Sequence, residues 1–426
     1  MCEIEDKFKL PAPFSSKEKP VWEEYAQLAE DHNALDLGQG FPDYSPPTGI
    51  AEILAEVALS NNSLIHQYTR DYGHPRLVST LSKLYTPLIG REINPQTEIL
   101  ITIGSQEALF SSIMGHVDVG EEVVVFEPFS PWYKSMVKAA GGVLRTVPLK
   151  LKKKTAGQVM TSEDWIFDKS ELEGVFNIKT KMLILNNPHS PLGKVFKLEE
   201  LEQIAELCKK WNVLCVAEEV YEWVVYKPNK HIRIASLQNM WERTITIGST
   251  GGTLSLTGWQ VGWVYGPTKL IHNLMIVHQQ SVYTGTTPLQ EVVATVLEKE
   301  LAQLGQNDCY FNSLPTELDA KRLFLAKVLT DVGMKPIIPQ GGYSMVVDWS
   351  PLESRIDLST ETDKWKDCRF IKWMTKNLGL QGIPLTPFYP ESGKSLGENF
   401  VQYCFFKKDA TLEKAAQILT DWKIKL

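Results

Sequence analysis

Ile247-Gly-Ser-Thr-Gly-Gly-Thr-Leu-Ser-Leu-Thr-Gly-Trp-Gln-Val-Gly-Trp263 is the stretch on which the reading of this chain turns. A short apolar run, Thr244-Ile-Thr-Ile247, leads into it. Continuous apolar runs of this length mark strands buried on both faces of a parallel sheet. The same texture recurs upstream in Ile99-Leu-Ile-Thr-Ile103, Val123-Val-Val-Phe126, Met182-Leu-Ile-Leu185 and Val213-Leu-Cys-Val216. Helical periodicity fills the intervals, most clearly over residues 198–211. Strands alternating with amphipathic helices predict an α/β fold, a mainly parallel doubly wound sheet covered on both sides. At the centre of the quoted stretch Gly252 brings no side chain, and so no amine or other nucleophile.

Upstream of the strands the chain is polar and punctuated. Val21-Trp-Glu-Glu-Tyr-Ala-Gln-Leu-Ala29 repeats its apolar residues at helical spacing, and Leu37-Gly-Gln-Gly-Phe-Pro-Asp43 is a Gly/Pro turn. The run Ile99–Ile103 passes into Gly104-Ser105-Gln106-Glu107, a helix start whose free N–H groups form an anion site. Past about residue 300 the texture changes to a long helix over 314–331, the run Gly341-Gly-Tyr-Ser-Met-Val-Val-Asp348, a helix near 370–377 and Phe400-Val-Gln-Tyr-Cys-Phe-Phe406. The predicted units are an N-terminal arm (1–40) packing with a small C-terminal α/β domain (301–426), and a large domain (41–300).

Composition excludes several classes of function. With 43% hydrophobic and 22% charged residues in 426, the chain buries a sizeable core. Its net charge of −7 argues against nucleic acid or an anionic membrane as partner, and the basic run Lys150-Leu-Lys-Lys-Lys-Thr155 reads as a solvated loop. Six scattered cysteines, with no C-x-x-C and no ligand-like histidine spacing, suggest neither a disulfide framework nor a metal site. Reduced thiols and an N-terminus without an apolar signal core lead to the expectation of a cytoplasmic protein.

Six further segments carry a resemblance: Leu37–Asp43, Pro191-Leu-Gly-Lys-Val-Phe196, the Trp241-Glu-Arg-Thr run, Thr257–Trp263, Pro336-Ile-Ile-Pro-Gln-Gly341 and Ile371–Asn377. Through them the chain, from about Pro20 to Leu426, resembles the kynurenine aminotransferase and cysteine-conjugate β-lyase family of pyridoxal-phosphate enzymes. The resemblance implies that family's fold: a large domain on a mainly parallel sheet and a small domain. It also places Gly252 where the family carries the lysine that binds the cofactor aldehyde. No cofactor is therefore expected, in the sense that pyridoxal phosphate is not covalently bound.

Other family positions have changed as well. Glu218 stands where an aspartate holds the ring nitrogen, its carboxylate displaced by about 1.5 Å through one extra methylene. Asn186 is kept, while Ser190 replaces the amide that meets the phenolic oxygen, and Ser130 replaces the stacked aromatic. Around the phosphate Ser249 and Tyr221 remain and Gln260 replaces a cation. Gln402 replaces the arginine that clamps the substrate carboxylate. The resemblance puts Trp22 and Gly40 near the substrate, and Tyr68 and Tyr283 across a homodimer interface.

Three lost cations with Glu218 retained predict a pocket for a small aromatic, neutral or cationic ligand, and burial should raise the Glu218 pKa. Arg70 and Lys194 border the site and could restore one charge. The leading functional expectation is a catalytically degenerate homologue, a pseudoenzyme that no longer transaminates and serves as a binding or regulatory protein, with heterodimers to an active paralogue as one route. A repurposed enzyme is the alternative, acting on an aromatic amine or amino-acid derivative with Glu218, His189, His66 or Tyr221 as acid or base. A residual kynurenine or glutamine transaminase or β-lyase stands third.

Overall fold

The computed structural model describes residues 7–15, 20–47, 49–152 and 158–424. Lys153, Lys154 and Thr155 of the basic run lie outside the described residues, as does Cys2. In chain order the strands used below are β1 (Ile99–Ile103), β2 (Glu122–Glu127), β3 (Val143–Pro148), β4 (Thr180–Asn186), β5 (Leu214–Glu218), β6 (Thr244–Ser249), β7 (Val261–Tyr265), β8 (Lys335–Ile337), β9 (Ser344–Asp348), β10 (Ile383–Pro384) and β11 (Phe400–Cys404). The helices are α1 (Val21–Asp31), α2 (Gly104–Met114), α3 (Pro131–Ala139), α4 (Leu198–Trp211), α5 (Thr250–Thr253), α6 (Tyr310–Asp331) and α7 (Lys366–Leu378).

Among the described residues the central sheet has seven strands in the order β1-β7-β6-β5-β4-β2-β3. Neighbours are parallel from β6 to β3, whereas β7 runs antiparallel to both β6 and β1. The strand period of two splits the apolar runs between opposite cores. Val124, Phe126, Leu183, Leu185, Cys215 and Ala217 pack into one, and Val123, Val125, Met182, Ile184, Leu214 and Val216 into the other. Each buried Val, Leu or Ile contributes about 1.5–3 kcal/mol, so burial on both faces fixes the sheet.

Strand direction gathers the polar segments on one edge. The carboxyl ends of β1, β2, β4, β5 and β6 lie on the same side, where open α/β sheets form their ligand crevice. Ile103–Gln106, Glu127–Ser130, Asn186–Ser190, Glu218–Tyr221 and Ser249–Gly252 therefore converge, though they are scattered over 150 residues of sequence. The β4–β5 register sets Asn186 directly beside Glu218.

A second sheet, β8-β9-β11-β10, is antiparallel throughout. It meets the first through the 340–342 segment: Gly342 N–H donates to Val224 O at 2.8 Å, and Gln340 N–H to Gly193 O at 2.9 Å. The turn into β9 thus faces the carboxyl edge of the large sheet. The chain after α1 joins the C-terminal part, Leu35 and Asp36 pairing in parallel with Leu380 and Gln381. No helix among the described residues is long and apolar enough to cross a membrane.

Candidate functional site

A narrow cleft opens where the two sheets meet, lined by His189, Ser190, Tyr221, Gly342, Tyr343 and Ser344 among others. Two predicted acid/base candidates, His189 and Tyr221, stand in its wall. Neither is charged near neutrality. Burial, reinforced by the Lys194 charge, pushes His189 down to about 3, so its imidazole is neutral. Burial pushes the Tyr221 phenol up to about 12, leaving it a neutral donor, and Tyr343 lies edge-on to it at 4.9 Å. The third candidate, Glu218, ends β5 half-buried. Desolvation raises its carboxyl above the ordinary range, as expected, and a hydrogen bond donated by Tyr133 Oη to Oε2 works against that rise. His66 is exposed on a surface turn.

Asn186 acts as a brace as much as a ligand. Its Oδ1 accepts Ser190 N–H at 2.6 Å, and its Nδ2 donates to Glu218 O at 3.1 Å, so both ends of the amide tie loop to strand. Ser190 is thereby held at the cleft. Ser130 immediately precedes α3, half-buried, with Pro131 opening the helix.

Ser249 precedes the short helix α5 and its Oγ accepts Gly251 N–H at 3.2 Å, which leaves the hydroxyl proton free to donate. Gly252 follows, buried and packed against the turn after Glu218. A Cβ at this position would overlap the Val220 carbonyl oxygen and lie 3.4 Å from Tyr221 Cδ1.

Helix α2 begins at Gly104, as the sequence predicts, and Ile103 N–H donates to Glu107 Oε2 at 3.0 Å beside its start. Gly104 takes φ +69°, Ser105 is half-buried and Gln106 exposed. Gln260, itself at φ +52°, folds its amide over Gly104 while Nε2 donates to Thr257 O at 2.8 Å. A neutral amide thus lies beside the helix start.

Behind Ser344, Gln402, 2% exposed in β11, donates from Nε2 to Ser344 Oγ at 3.0 Å, and its Oε1 has no partner among the described residues. Gly40 borders Tyr343, since a Cβ on it would stand 3.6 Å from Tyr343 Cε2. Trp22 sits edge-on to Phe388 at 5.7 Å. Tyr68 and Tyr283 are not in the cleft. They meet edge-to-face at 5.4 Å on the surface, Tyr68 81% exposed. The two cations that could have replaced lost charge are engaged elsewhere, Lys194 with Glu200 at 2.8 Å and Arg70 with Gln96 and Pro95 O.

Sequence reading left out Tyr343, Ser344 and the role of Tyr133 on Glu218. The glycine pair Gly341-Gly342 before an apolar run was the available signal for the first two. One histidine–carboxylate group among the described residues has metal-like spacing: Glu219, Glu222 and His231. Its members are already engaged, Glu219 in a hydrogen bond with His231 at 2.8 Å and Glu222 with Arg233 and with Tyr85 Oη at 2.5 Å.

These donors fit a phosphorylated pyridine in part. Amide N–H groups at the start of α2, the Ser249 and Tyr221 hydroxyls and the Glu218 carboxylate suit phosphate and ring nitrogen. A covalent link at residue 252 does not fit, because no amine is there and the Val220 carbonyl occupies the space a side chain would need.

The family model for class I and II aminotransferases matches residues 32–419. The chain is 46% identical over 98% of its length to kynurenine–oxoglutarate transaminase 3 of Rattus norvegicus, covering 91% of that protein. It is 42% identical to kynurenine–oxoglutarate transaminase 1 of Homo sapiens, over 95% of this chain and 96% of that one. Its fold superposes on the crystal structure of Bna3p from Saccharomyces cerevisiae with a TM-score of 0.91 at 30% identity, covering 98% of this chain and all of that one.

These relatives correct the leading functional expectation. Proteins named as transaminases match nearly the whole chain, which points to an enzyme and away from a pseudoenzyme that only binds or regulates. That expectation rests on six side chains. The frame shared with the relatives runs through the whole chain, and the cleft is lined by phenols, hydroxyls and a neutral imidazole.

Proposed function

The chain belongs to the class I and II aminotransferase family, and from that premise we propose that it is an enzyme moving the amino group of a kynurenine-like aromatic amino acid to a 2-oxo acid. The observation that carries this reading is full-length similarity to named kynurenine–oxoglutarate transaminases, combined with one carboxyl sheet edge at which the segments bearing Ser190, Glu218, Tyr221 and Ser249 converge.

In this reading pyridoxal phosphate is held by contacts alone. When bound it supplies the electron sink for breaking a bond at the substrate α-carbon. The chain's own residues do the rest. The α2 N–H groups and Ser249 would hold the phosphate, and the Glu218 carboxylate would accept the ring N–H. Tyr221 stays protonated and holds or passes a proton at Oη. Tyr343 and Trp22 offer aromatic faces to the substrate ring. With Gln402 an amide and His189 neutral, the substrate carboxylate has no cationic clamp at residue 402, so ring and amine carry more of the binding.

We read the exposed Tyr68–Tyr283 pair as the surface through which a second copy completes a homodimer. The division into arm (1–40), large domain (41–300) and small domain (301–426) belongs to the same reading. So does a cytoplasmic setting, which the five unpaired described cysteines suit.

The test is consumption of kynurenine with 2-oxoglutarate and added pyridoxal phosphate. Consumption that scales with protein and is lost in Glu218→Gln supports the reading. A rate no higher than that of the cofactor alone refutes it.

A further inference from the structure

Tyr133 has no assigned part in the site, yet it makes the side-chain hydrogen bond that Glu218 receives. It lies in α3, buried, its ring parallel to Phe129 within 9° at a centroid distance of 6.4 Å. Phe129 is anchored in turn, its N–H donating to Phe388 O at 2.8 Å. Packing therefore fixes the approach of the phenol. Glu218 has one more rotatable bond than an aspartate, and its carboxylate could adopt several positions in an open crevice. The phenol binds Oε2. Oε1 accepts no hydrogen bond among the described residues, and Glu218 stands at the carboxyl edge beside Asn186 and Tyr221.

Resting on the reading above, we propose that Tyr133 is a positioning residue for Glu218: it fixes one carboxylate oxygen so that the other is presented, as an anion, to the N–H of a protonated pyridine ring. The longer side chain at 218 and the phenol then form one unit, the tie restoring the geometry that the extra methylene loosens.

Charge follows the same logic. Burial drives the Glu218 carboxyl toward its neutral form, and the Tyr133 hydrogen bond opposes it. The titratable groups facing Glu218 are Tyr133 on α3 and Tyr221 on the following turn, both raised by burial and both protonated at working pH. Tyr133 can therefore only donate, and a donor at Oε2 favours the ionised carboxylate. Without it Glu218 ionises at higher pH.

The test measures binding of pyridoxamine phosphate, which carries the ring nitrogen and phosphate but no aldehyde, to the full chain by calorimetry between pH 5.5 and 8.5. Tyr133→Phe keeps the ring and its packing. It should weaken binding about tenfold or more at pH 6, less as pH rises, moving the acid limb of the affinity profile upward. In a Glu218→Gln background the same change should do nothing further. Glu218→Asp, which withdraws the carboxylate from the phenol, should reproduce the shift and serves if Tyr133→Phe does not fold. Unchanged affinity and profile overturn the inference, as does uniform weakening that persists in the Glu218→Gln background. No binding by the unaltered protein overturns both this inference and the functional reading, while binding indifferent to Tyr133 overturns this inference alone.

Discussion

Gly252 packs against the carbonyl oxygen of Val220 so closely that even a methyl group at 252 would overlap it. A side chain at 252 therefore has no room unless the Val220 backbone shifts. Gly252→Ala should destabilise the fold by about 1–3 kcal/mol, the usual cost of overpacking, despite the better helix propensity of alanine. Gly252→Lys should cost at least as much and form no bond to added aldehyde. Denaturant unfolding checks the first expectation, and a Gly252→Ala protein as stable as the parent contradicts it.

His189 gives a pH signature. Its ordinary value of 6.5 falls to about 3 in the fold. Between these values the unfolded chain binds the proton and the folded chain does not, so His189 makes stability rise with pH from about 3 to 6.5 and adds nothing above. His189→Gln should flatten that acid-side slope in unfolding curves taken at several pH values. An unchanged slope shows that the imidazole titrates normally.

Glu218 works in the opposite sense. Its carboxyl is raised by desolvation, so the folded state holds the proton more tightly and loses stability as pH rises through that window. Glu218→Gln should therefore be more stable than the parent at pH 8, with a smaller difference at pH 4, while ring-nitrogen binding is lost. Thermal melts at the two pH values decide it. A variant less stable at pH 8 means that the carboxylate is favourably solvated.

Gln402 stands where the resemblance implies a carboxylate-binding arginine. Restoring a bidentate cation by Gln402→Arg should lower KM for kynurenine about tenfold or more with a smaller change in kcat. An unchanged KM means that the carboxylate is held elsewhere, and steady-state kinetics distinguishes the two. Refolding controls matter here, since residue 402 is buried beside Ser344.

How much of this was legible in the sequence depends on the range of the interactions. Helix α4 was read to the residue, because an amphipathic pattern ends at Asn212 in the left-handed conformation. The four buried parallel strands were legible as apolar runs. Edge strand β3 was not, because Val143–Pro148 alternates exposed and half-buried residues around Arg145. The antiparallel return of β7 was concealed inside the glycine-rich stretch. In the site, residue types were readable but partners were not. Nothing local links Tyr133 to Glu218, 85 positions apart, or gives Asn186 its bracing role. The collision of residue 252 with Val220 depends on backbone path, which single-letter identity does not carry.

The central claim is amino-group transfer without a bond between protein and cofactor. The direct measurement follows ¹⁵N from labelled kynurenine into the amino acid formed from 2-oxoglutarate, with the intact mass of the borohydride-treated protein read from the same turning-over sample. The account predicts label transfer at a rate set by protein concentration and an unmodified protein mass. Label transfer accompanied by a cofactor mass on a lysine, or no transfer above the cofactor alone, contradicts it.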